Sequence, residues 1–112
     1  MQQGEEYEGF LKEKGTSLLA VGVNEIALSR EDALYAIGIL REIKRPILGG
    51  DVYFRQQGQI KPAYANWYVN SDPTENRETH AHRSYEVTKA YIQEFPKPPT
   101  GIEELFTLVV SK

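Results

Sequence analysis

The stretch from Pro46 to Asn70 constrains the chain more than any other. It reads Pro-Ile-Leu-Gly-Gly-Asp-Val-Tyr-Phe-Arg, then Gln-Gln-Gly-Gln, then Ile-Lys-Pro-Ala-Tyr-Ala-Asn-Trp-Tyr-Val-Asn. Two runs rich in β-branched and aromatic residues flank a polar segment whose Gly58 accepts positive φ without a Cβ clash. That pattern predicts a β-hairpin. Alternation puts Val52 and Phe54 on one face of the first strand and Tyr53 and Arg55 on the other. In the second strand Trp67 and Val69 share a face and Tyr68 points away. An isolated hairpin is marginal in water, so this one must lay an apolar face against helices from either side in sequence.

The flanking segments supply those helices. Tyr7, Phe10 and Leu11 fall at helical spacing within Glu5–Lys14, with acidic residues first, lysines last and Gly15 to close. Ser17–Leu28 is expected to be extended and largely buried, with its best strand character at Glu25–Leu28. Ser29-Arg-Glu-Asp announces a helix over about residues 30–44, because a serine hydroxyl accepts from first-turn amides and acids suit that end. Its stripe is Ala33, Leu34, Ile37 and Leu40, continued by Ala36 or Ile43. Gly38 within it suggests close packing against a strand. Asp72-Pro-Thr-Glu75 predicts a helix over about 73–95, capped by Asp72 with Pro73 first. Pro96–Pro99 stops it. The final stretch, Thr100–Val110, fits one helical turn and then a strand in which Phe106, Leu108 and Val110 alternate. The expectation is an α+β domain spanning 1–112, with a small, mostly antiparallel sheet around the central hairpin.

Composition narrows the function. At 112 residues the chain has room for one core. The absence of cysteine excludes disulfides, zinc–thiolate sites and thiol catalysis. No apolar stretch approaches the roughly 20 residues a membrane span needs. The acidic N-terminus lacks the layout of a secretion signal, which makes the cytoplasm the expected compartment. A net charge of −3 without long runs of one sign argues against nucleic acid and suits a basic protein partner.

Candidate reactive groups do not assemble. Gly49-Gly50-Asp51 lacks the Lys-Ser or Lys-Thr pair and following helix of a phosphate loop, and reads as a bulge or tight turn into the hairpin. His80 and His82, two apart on a helix, face different ways and are expected to be solvated. Glu25, Asp51 and Asp72 have no sequence relation that would pair them for acid–base work. Catalysis, metal and cofactor are therefore not expected. The aromatic group of Tyr53, Tyr64, Trp67, Tyr68, Tyr85 and Tyr91 exceeds what a core this size requires. Such residues are enriched where protein partners dock.

Asn24-Glu-Ile-Ala-Leu28 leading into Ser29-Arg-Glu-Asp-Ala33, Gly49-Gly-Asp-Val-Tyr53 and Asn66-Trp-Tyr68 resemble the immunity protein 40 family of bacterial polymorphic-toxin systems. The likeness runs from about Glu6 through the Tyr85–Phe95 helix. It implies a small non-catalytic protein that binds a cognate toxin, basic by charge complementarity, and occludes its active cleft. The family carries no binding residues to transfer. From the residues themselves, the expected contact set is Glu25, Asp51, Tyr53, Asn66, Trp67 and Tyr68. Two other readings stand beside it. One is a small ligand-binding or hydrolytic domain with a pocket between hairpin and helix, using Asp51, Tyr53 and His80 or His82. The other is a homo-oligomer paired through an exposed hairpin edge.

Overall fold

A computed structural model describes residues 4–111. In chain order the elements are α1 (Glu5–Lys14), β1 (Thr16–Ser17), a 3-10 turn (Leu19–Val21), β2 (Ile26–Ser29) and α2 (Arg30–Glu42). The hairpin strands β3 (Ile47–Gln56) and β4 (Gln59–Tyr68) follow, then α3 (Arg77–Glu94), β5 (Glu103–Phe106) and β6 (Val109–Val110). The strands form one antiparallel sheet ordered β1-β2-β5-β3-β4, with β6 also beside β3. This is the expected α+β architecture.

The hairpin closes through Gln57-Gly58, whose φ values of 51° and 78° are the two left-handed residues a tight hairpin turn needs. Its pairing slips once. Val52 faces Ala65 but Tyr53 faces Pro62, so Ala63 and Tyr64 bulge from β4. Tyr64 takes φ 57° and stands 92% exposed.

One face of the sheet meets the helices. Leu28, Phe106, Val52 and Ala65 form a row across β2, β5, β3 and β4. They pack with Ala33, Ala36, Ile37 and Leu40 of α2 and Ala81, Tyr85 and Ile92 of α3. Gly50 belongs to this face, and its missing side chain makes the room: a Cβ there would collide with the Trp67 ring and the Thr107 carbonyl. The opposite face carries a smaller core of Leu18, Ala27, Tyr53 and Leu105.

Side chains fix the helix ends. Ser29 accepts from the Asp32 amide at 3.2 Å and starts α2 as expected. At its other end the Lys44 and Arg45 amides reach back to the Arg41 and Leu40 carbonyls, a Schellman closure with Lys44 at φ 59°. Arg30 spans the sheet rim. Its Nε donates to Glu104 at 2.8 Å and its Nη1 to the Ile92 carbonyl at 3.0 Å, satisfying a carbonyl at the end of α3.

Several expectations change. The third helix begins at Arg77, capped by Asn76 accepting from the Thr79 amide at 2.8 Å. Asp72 Oδ1 is occupied by the amide and hydroxyl of Thr74, at 2.8 and 2.7 Å, and so closes a separate turn. Glu75 does reach back to the Asp72 amide, at 3.2 Å, but Arg83 grips the same carboxylate at 2.6 Å. Its pKa is pulled down to about 2, chiefly by that guanidinium. Segment 17–28 is not buried throughout. Leu18 anchors it, while Leu19 and Val21 are exposed. Gly38 packs against nothing. The C-terminal stretch has a turn, with the Ile102 amide bonded to the Pro99 carbonyl, instead of a helical turn.

Candidate functional site

The site is built on the sheet face that turns away from the helices. Because Gly50 and Val52 point to the helical layer, alternation sends Gly49, Asp51 and Tyr53 the other way. Register then sets Tyr68 and Val109 on either side of Gly49, and Asn66 beside Asp51. The segment around Leu18 covers only the Tyr53 end of this face. Tyr68 remains 74% exposed and Val109 41%. Asn66 is exposed and Asp51 half-buried.

Asp51 is held firmly. Its amide donates to Thr107 Oγ1 at 3.0 Å, and its carbonyl accepts from the Thr107 amide at 2.9 Å. Thr107 is fully buried between β5 and β6, so the aspartate sits on a rigid backbone.

Glu25, just ahead of β2, reaches the same patch. Burial raises its pKa, and the Asp51 charge raises it further. The Tyr53 phenol is raised by burial first, then by Asp51 and Glu25. Glu25 and Tyr53 therefore both lie in the field of Asp51. Among the described residues neither carboxylate has a hydrogen bond or ion-pair partner. The Asp51 charge bears on Glu25 with no basic side chain of the described residues paired to either.

Of the six residues singled out in the sequence, Glu25, Asp51, Tyr53, Asn66 and Tyr68 thus gather on or beside one face. Trp67 does not. It points into the core, 6% exposed, stacked on Tyr91 with ring centroids 4.6 Å apart. Tyr53 is 8% exposed and forms the patch's inner wall, with its ring in the smaller core. Alternation separated Trp67 from Tyr68 but did not say which face the helices would cover. Thr107 and Val109 were missed: the pairing that brings them to β3 links residues 56 and 60 positions apart.

The histidines stand elsewhere. His80 is not solvated. Its Nδ1 is buried without a hydrogen bond, 3.8 Å from Glu75. His82 lies on the exposed side of α3 with Arg41 and Tyr85. No cluster of potential metal ligands occurs among the described residues. The open face offers negative charge, an amide and a phenol ring on a stiff support. That chemistry suits a cationic surface.

A comparison with protein-family models matches residues 17–110 to immunity protein 40. The chain belongs to the immunity protein 40 family. The match starts after α1 and extends through β6, so it reaches further toward the C-terminus than the sequence likeness and less far toward the N-terminus. The family portion therefore contains the whole sheet from Ser17 onward, including every residue of the open face. No curated protein and no solved structure matches the chain. For this immunity protein 40 member, the open sheet face is the candidate site. Among the described residues no helix is long and apolar enough to cross a membrane.

Proposed function

We propose that this chain is a non-catalytic inhibitor that binds a cognate bacterial toxin in the cytoplasm and blocks its active cleft with the open sheet face. The observation that carries this is the pair of unpartnered carboxylates, Glu25 and Asp51, beside exposed Tyr68 and Asn66. Holding like charges together costs folding energy, and a partner's lysine or arginine would relieve it. Tyrosine, exposed here as Tyr68, is among the residue types enriched in binding hot spots. The family assignment supplies the kind of partner, and the charge of the face supplies its sign.

The pocket reading finds little support. The space between hairpin and α3 is filled by Trp67 stacked on Tyr91, with Phe95 tilted against Tyr91 and Phe54. Pairing through the hairpin edge is opposed by Pro62 and the Ala63–Tyr64 bulge on β4, both of which blunt an edge strand.

Co-expression with a candidate cognate toxin tests the proposal. Asp51→Lys and Tyr68→Ala should each lose protection while keeping the parent's circular dichroism. If both folded variants protect as well as the parent, the open face is not the docking surface.

A further inference from the structure

On the helical layer, a cleft of about 410 Å³ lies between the end of α2 and the start of α3. Arg41, Lys44, Arg77 and His82 line it above a floor of Ala81 and Tyr85, with Glu78 the one acidic residue in its wall. Three permanent cations converge here in a chain whose net charge is −3.

Folding rules favour a cation at the α2 C-terminus, but neither Lys44's backbone conformation nor the position of Arg77. Lys44 occupies the left-handed position of the Schellman closure, where glycine is the favoured residue. Arg77 is the first residue of α3, the end where the helix dipole disfavours cations. Neither side chain has a hydrogen bond or ion pair among the described residues. Arg41 is held in place by Glu86 at 2.9 Å and lies over the Tyr85 ring at 5.2 Å. The Tyr85 phenol feels both Arg41 and Arg77, so their charges bear on one spot.

We propose that this cleft binds a phosphate-bearing small molecule, with the phosphate on Lys44, Arg77 and Arg41 and the remainder against Tyr85 and Ala81. Guanidinium forks match phosphate oxygens, and a concave site of this volume is of small-molecule size. Glu78 and Glu86 interrupt any continuous basic track, which disfavours a nucleic-acid backbone. The proposal does not rest on the inhibitory reading, and its test needs no toxin.

The test is an NMR titration of the isolated protein with phenyl phosphate and with inorganic phosphate. Saturable shifts are expected at the amides of Lys44 and residues 77–82, with phenyl phosphate the tighter. Arg77→Glu should weaken binding about tenfold or more, the effect of losing a charged hydrogen bond. Lys44→Gly relieves the backbone and removes the charge, so it should raise the melting temperature yet weaken binding. Absence of saturable shifts, or undiminished binding by Lys44→Gly, would overturn the proposal. So would tighter binding there of a glutamate-rich peptide or a short DNA duplex.

Discussion

Trp67 Nε1 donates to the hydroxyl of Thr88 at 3.1 Å, a bond sealed inside the core that fastens the hairpin to α3. It fixes which face of the hairpin is buried and therefore which face is left for a partner. Thr88→Val keeps the shape but leaves the indole N–H buried and unpaired. Chemical denaturation should show a loss of about 1–3 kcal/mol. An unchanged midpoint would mean the bond does not hold the two layers together.

Much of this arrangement was legible in the chain. The hairpin, its turn at Gly58, the Ser29 cap and the separation of Trp67 from Tyr68 all follow from local rules. What was not legible depends on contacts distant in sequence. The helix starts at Arg77 because Asn76 caps it, while Asp72 spends its oxygen on Thr74 and Glu75 is shared between the Asp72 amide and Arg83, eight residues on. Sequence alternation marks Trp67 as a candidate contact, yet α3 covers it. Conversely, the proximity of Glu25 to Asp51 arises only when β5 is inserted between β2 and β3.

Gly38 offers a test of where packing is not needed. It lies inside α2 with no atom near its would-be Cβ and an ordinary helical backbone. Gly38→Ala should therefore stabilise the protein by about 0.5–1 kcal/mol, read from the denaturation midpoint. A loss of stability would show that the position is crowded.

Tyr7 gives the fold an alkaline limit. Burial pushes its phenol up to about 12, against a smaller opposing pull from Arg45. The unfolded chain ionises near 10 while the folded one stays neutral. Stability from this residue is thus complete below pH 10 and falls as pH rises toward 12, by about 2–3 kcal/mol. Tyr7→Phe should flatten that decline in denaturation measured across this range.

The two carboxylates on the open face should trade stability against binding. Asp51→Asn removes the like charge that raises Glu25, so the Glu25 pKa, followed by NMR, should fall. Glu25 is a group whose folded pKa is raised, so it weakens the fold above that pKa and the weakening eases as pH drops through it. Relieving it at neutral pH should stabilise the protein by a few tenths of a kcal/mol, about the size of an exposed charge pair. The same substitution should weaken binding of a basic partner.

The most direct measurement is a calorimetric titration of the purified toxin domain with the parent and with Asp51→Lys, at low and at moderate salt. The parent should bind with an affinity that declines as salt rises, and the variant should bind at least about a hundredfold more weakly, since it sets a cation against a cation. Equal affinity for parent and variant, with no dependence on salt, would contradict an acidic sheet face as the inhibitory surface.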